Sequence, residues 1–224
     1  MGQSYGKAKV NGPAIPFVNL PENVIHGLWE DFNHISEGFG IERKRFCGLI
    51  QVLEMHMASN DDIQSQNAKL QKLAKKLFDF LDTDRNGIVD GLECLAGLAI
   101  LSNMPLDEKL DYILHLYDFE RKDRLVEDEM SMATACLCTA LEKMTNMTPP
   151  SGDIIENTSK HAFNNFVLRK EDETAAISDI VQYVLDNPDT LSFVRHFDNI
   201  IDVDYDDICG NCIYLVRTYV RPNK

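Results

Sequence analysis

The chain has 224 residues, 44% of them hydrophobic and 26% charged, a composition that fits a folded protein with one sizeable core or two small ones and excludes wholesale disorder. Its formal net charge of -14, from 36 acidic against 22 basic residues, repels a phosphate backbone and argues against nucleic acid as a partner. No stretch approaches the roughly 18 consecutive apolar residues of a membrane span, and the N-terminus lacks the apolar centre of a secretory signal, so a cytoplasmic location with reduced thiols on its six cysteines is expected.

In chain order, residues 1–20 hold three glycines and two prolines without sustained periodicity and read as an arm that is flexible unless docked. From Pro21 onward apolar residues recur at helical spacing: Leu28 and Phe32, then Leu70, Leu73, Leu77 and Leu81. After Pro105 come Leu110, Ile113, Leu114 and Tyr117; after the linker Thr145 to Asp153 come Ile180 and Val184. Strand-like alternation is almost absent, and helix–loop–helix units recur every roughly 40 residues. The expected domains are residues 21–102 and 103–200, each a pair of such units, followed by a C-terminal segment, 201–224.

Between the second and third helical stretches lies LDTDRNGIVDGLEC, which meets the demands of a calcium loop. Calcium takes six to eight hard oxygens, and a twelve-residue loop delivers them from positions one, three, five, seven, nine and twelve. Those positions hold Asp82, Asp84, Asn86, the carbonyl of Ile88, Asp90 and Glu93, the last able to chelate through two oxygens. Gly87 stands at position six, where the backbone turns through a left-handed conformation that a side chain would strain. Val89, at position eight, is expected to point inward and pair with a neighbouring loop. Magnesium can occupy the same oxygens at rest.

Three degraded copies surround this loop. Upstream, a frame with Ile41 at position eight puts His34, Ser36, Gly38 and Arg45 at one, three, five and twelve; Arg45 would aim a cation at the ion. Downstream, DFERKDRLVEDE keeps Asp118, Glu120 and Glu129 but carries Lys122 at position five and Asp123 in place of glycine. The last copy, in one frame, offers Leu168, Lys170, Asp172 and Asp179, which cannot build a calcium sphere. One metal-competent loop is therefore expected.

With these elements in place, the chain resembles the neuronal calcium sensor family of four-EF-hand proteins, with calcineurin B as a relative. Pro105 to Asp118 is similar to that family's helix into its third hand, and Asp128 to Met130 to the end of that loop. Asp186 to Ile200 resembles its closing helix, and Trp29 with Phe32 the aromatic pair entering its degenerate first hand. The resemblance implies an all-α protein of two lobes and a hydrophobic groove that accepts an amphipathic helix from a target protein. Family members usually keep metal competence in the third or fourth hand, which this chain lacks. The start, MGQSYGKAK, resembles the family's myristoylated N-terminus, with Gly6 where the motif wants Ser or Thr. One acyl chain on Gly2 would give only weak membrane attachment. The alternative to a sensor is a constitutive structural subunit, calcineurin-B-like or resembling the calaxin component of a ciliary dynein assembly.

Other motifs carry less. Cys209 and Cys212 have redox or zinc spacing, and Cys136 with Cys138 could in principle complete four thiolates, but no βαβ context supports such chemistry. Cys47, Cys94 and Cys136 fall in apolar helical patterns and read as small core residues. Asp202, Asp204 and Asp206 imitate a loop start, with Asp207 at the glycine position and Ile213 at the chelating one. The histidines, His56 and His115 among them, form no catalytic motif, so no enzyme activity is expected. Met130, Met132, Met144 and Met147 either line an adaptable groove or fill the core.

Overall fold

The computed structural model describes residues 9–35, 38–57, 63–167 and 173–187. Gly2, the frame positions 168–172, the cysteine pair 209 and 212, the acidic turn at 202–207 and the C-terminal segment 201–224 lie outside the described residues. The chain is all-α with EF-hand architecture, and it forms two compact units, one from Asn11–Asn103 and one from Met104–Val203 with the stretch before Asn11. Among the described residues no helix is long and apolar enough to cross a membrane.

In the first unit, helix α1 (Glu22–Ile35) follows Pro21, carries Glu22 in its first turn, and buries Val24, Ile25, Leu28 and Phe32 along one stripe. Strand β1 (Gly40–Glu42) leads into α2 (Arg43–Met57); α3 (Ile63–Leu81) leads through a loop to β2 (Ile88–Asp90) and α4 (Gly91–Leu101). The two short strands pair antiparallel, with Ile41 opposite Val89, both buried between exposed neighbours. Val89 thus faces inward as its position in the loop requires. Helices α2 and α3 pack together, with Phe46 edge-on to Phe78 at a centroid distance of 5.4 Å. Arg43 forms an ion pair with Asp79, and its guanidinium carbon lies 4.9 Å from the Phe78 ring centre, so its charge serves this corner twice. Helix α4 is buried at every position but Glu93, a helix apolar all round and not the one-sided stripe of Leu92, Leu95 and Leu98.

The N-terminal stretch reads as an arm that is flexible unless docked, and over residues 11–20 it is docked. Residues Gly12–Phe17 form a 3-10 turn packed on α3, burying Ala14, Ile15, Pro16 and Phe17. Val18 and Leu20 are buried as well. The backbone is tied to the end of α4, with Asn19 N donating to Leu101 O at 2.7 Å and Asn103 N to Leu20 O at 3.1 Å. Pro13 and Pro16 break any 3.6-residue period, so the segment looks aperiodic although its apolar content is continuous. Its burial has a measurable consequence. Phe17→Ala is expected to lower unfolding free energy by about 3–5 kcal/mol, read as an earlier urea midpoint; an undocked arm would leave the midpoint where it was.

In the second unit, α5 (Leu106–His115) starts after Pro105 with Asp107 and Glu108 in its first turn and buries Leu110, Ile113 and Leu114. Strand β3 (Arg124–Leu125) precedes α6 (Glu127–Met144); after α7 (Gly152–Val167), β4 (Ala175–Ala176) precedes α8 (Ile177–Asp186). Leu125 pairs with Ala175 across β3 and β4, and the Arg124 guanidinium donates to Thr174 Oγ1 and O, both at 2.7 Å. Helix α6 packs on α7 and α5 on α8. Val10 bridges to Thr145 within this unit, flanked by Lys9 N donating to Asn146 Oδ1 at 2.7 Å. Met130, Met144 and Met147 are core residues here, while Met132 is exposed, so the methionines mostly fill the interior.

Candidate metal centre

The loop from Asp82 to Glu93 is held in a closed turn by its own short polar side chains. Asp82, at the end of α3, is buried, and its Oδ2 accepts from Gly87 N at 3.1 Å across the loop. Gly87 has φ +81°, the left-handed backbone that position six demands, and Arg85 at position four is left-handed too, at φ +57°. Asp84 Oδ1 accepts from Asn86 N at 3.3 Å and its Oδ2 from Asn86 Nδ2 at 2.8 Å. Asn86 Oδ1 accepts from Ile88 N at 2.7 Å, which fixes the start of β2. Asp90 caps α4, its Oδ1 accepting from Glu93 N at 3.0 Å, and so sets the first turn from which Glu93 projects.

One atom stands apart in this network. Asp82 Oδ1 is buried and has no hydrogen-bond partner. A carboxylate oxygen withdrawn from water with nothing to accept from is costly, and a cation is the natural partner for it. The same loop supplies the kinds of oxygen a hard ion takes: carboxylates at 82, 84, 90 and 93, an amide oxygen at 86 and a backbone carbonyl at 88. Among the described residues no three carboxylate, imidazole or thiolate groups already share one point. Asp84 and Asp90 are turned onto the loop's own N–H groups and the Asn86 amide instead. The donor set and the orphaned Asp82 oxygen together fit calcium.

The loop from Asp118 to Glu129 has the same backbone and a different use of its carboxylates. Positions four and six are again left-handed, at Arg121 (φ +55°) and Asp123 (φ +56°), although neither is glycine. Asp123 N donates to Asp118 Oδ2 at 2.7 Å, as Gly87 N does to Asp82. Here, however, Lys122 N donates to the other oxygen, Asp118 Oδ1, at 3.1 Å. The Lys122 ammonium lies 2.5 Å from Glu120 Oε2, and its pKa is raised by that carboxylate, with smaller contributions from Asp118 and Glu129. Glu129 reaches back to accept from Val126 N at 3.0 Å, capping α6. The acidic groups at positions one, three and twelve, Asp118, Glu120 and Glu129, are all engaged from within the chain.

The upstream frame contributes β1, and Arg45 holds its twelfth position. For the last frame, Leu125 at position eight of its own loop pairs with Ala175, which counts forward to Asp179 at position twelve. The described cysteines 47, 94, 136 and 138 form no disulfide; burial pushes Cys138 up to about 12, which keeps it protonated and unreactive.

Reading from the sequence missed Gly91. A Cβ placed there would meet the Phe32 ring at 2.3 Å and Ile41 at 3.0 Å. The signal was a glycine one residue past the ninth ligand position, where the start of a helix gives it no conformational reason to be.

The comparisons with known proteins agree with this chemistry. No family model matches the chain. A 65-residue stretch is 37% identical to calcium-binding protein J of Dictyostelium discoideum, covering 27% of this chain and 34% of that protein, so the chain spans about a third of it. Over 183 residues the chain is 25% identical to a recoverin family protein of the same organism, covering 74% of this chain and 76% of that protein. Both similarities fit the helix–loop–helix fold described above. Of these two relatives, one is named for calcium binding and the other for the recoverin family.

Proposed function

We propose that this chain is a non-enzymatic calcium sensor that takes one calcium per molecule at Asp82, Asp84, Asn86, the Ile88 carbonyl, Asp90 and Glu93, and regulates a target protein through an amphipathic helix. The observation that carries the metal assignment is the buried, unpartnered Asp82 oxygen at the head of a loop whose sixth residue is a left-handed glycine. The other three frames are the degenerate copies. The loop 118–129 satisfies its carboxylates internally, so calcium gains little there. The proposed place of action is cytoplasmic, with membrane contact only as strong as a single acyl chain on Gly2 would make it.

A ligand shifts a two-state equilibrium only through differential affinity for the two states. Calcium is therefore expected to act on the first unit alone. Hydrogen exchange with and without calcium at fixed magnesium, run beside calorimetry, tests this: protection changes in residues 21–102 and stays flat in 103–200. Changes confined to the second range would refute it. The burial of α4 all round, with residues 11–20 covering part of the first unit, favours a second reading: a constitutive structural subunit in which calcium locks the fold. Calcium uptake with no change in exchange beyond the loop itself decides for that reading.

A further inference from the structure

Calcium at residues 82–93 needs a route to α1, the helix of the metal-free first frame. The paired strands offer one through Val89 and Ile41. A second, tighter contact lies beside it. Phe32, on the buried stripe of α1, sits so close to Gly91 that a single added carbon would stand 2.3 Å from its ring. Gly91 is the first residue of α4, between Asp90, whose carboxylate caps that helix, and Glu93, two residues on. The Phe32 ring also stacks on Trp29, with centroids 5.8 Å apart and planes 18° from parallel. Phe32 is 2% exposed, while Trp29 is only partly buried.

Close-packed interiors transmit displacement because no free volume absorbs it. The Phe32 ring against the Gly91 backbone leaves none, so a rearrangement in the first turn of α4 must move the ring or be resisted by it. The ring in turn cannot shift without changing the environment of Trp29, the chain's single tryptophan. We propose that Phe32 is the positioning residue that couples the loop 82–93 to α1, with Gly91 kept small to admit it and Trp29 as the group that registers the change. The proposal rests on calcium binding at that loop.

The test uses the full-length protein, titrated with calcium at fixed magnesium and followed by heat and by Trp29 emission. In the wild type both signals should share one midpoint. Phe32→Leu should keep calcium uptake, with a midpoint within about threefold, while the calcium-dependent part of the emission change falls by more than half. Val89→Ala, which trims the strand route, should keep most of the emission change. If Phe32→Leu lacks the native circular dichroism signal, Phe32→Met, whose unbranched side chain re-packs more freely in an irregular gap, carries the same expectation. An emission change that survives at Phe32 and disappears at Val89 overturns the proposal in favour of the strands. Heat without any emission change in the wild type overturns it while leaving the metal assignment intact. Absence of calcium heat overturns both.

Discussion

Glu93→Gln should abolish calcium uptake in the physiological range, while Glu129→Gln should leave the stoichiometry at one. Position twelve is the ligand that can give two oxygens and a full charge at once. Loss of an outer-shell partner alone costs about 10–100-fold in metal affinity, so removal of a chelating ligand sits beyond the upper end of that range. The fold should survive the change. The cap of α4 uses the Glu93 backbone N–H and the Asp90 carboxylate, and neither is altered by Glu93→Gln. Calorimetry with calcium measures the first effect, and circular dichroism separates it from unfolding. Glu129 already serves as an acceptor for Val126 N, so its replacement should cost some helix capping and no calcium. Two or more tight sites in the wild-type protein, or undiminished uptake after Glu93→Gln, would contradict the assignment.

How much of this was legible in the sequence follows from the kind of physics behind each feature. The backbone of loop 82–93 was readable because the left-handed glycine at position six is a local property of twelve consecutive residues. The pairing of Ile41 with Val89 was readable too, because position eight of a loop has one geometric role. Helix α1 showed its stripe at Leu28 and Phe32. The docking of residues 11–20 was not readable: a 3-10 turn broken by Pro13 and Pro16 has no period, and its burial is decided by α3 and the end of α4, which lie far along the chain. The contact between Gly91 and Phe32 was hidden for the same reason. It joins residues from two different hands, and only their packing brings the glycine's missing side chain into the argument. The engagement of Glu129 as a cap was equally a matter of side-chain direction, which the residue type at position twelve does not reveal.

Converting the third frame should create a second calcium site: Lys122→Asp together with Asp123→Gly should raise the stoichiometry from one to two. The backbone is already in place, with positions four and six left-handed at Arg121 and Asp123 and position six bonded to the first carboxylate at 2.7 Å. What stands against an ion is charge and occupancy. The Lys122 ammonium lies on Glu120 and within the influence of Asp118 and Glu129, so it neutralises the carboxylates a metal would need. Lys122→Asp removes that cation and puts an acidic oxygen at position five, completing acidic groups at one, three, five and twelve. Asp123→Gly relieves a left-handed backbone that costs an L-residue roughly 1–2 kcal/mol, and it removes the carboxylate that now faces His115 Nε2 at 3.3 Å. Neither Val126 at position nine nor the capping role of Glu129 is changed, so the new site should be weaker than the one at Asp82–Glu93. Calorimetry of the double variant should show two binding events, of which Glu93→Gln removes the tighter and Glu129→Gln the weaker. A stoichiometry that stays at one would mean that the backbone hydrogen bonds onto Asp118, and not the lysine, keep this loop closed to metal.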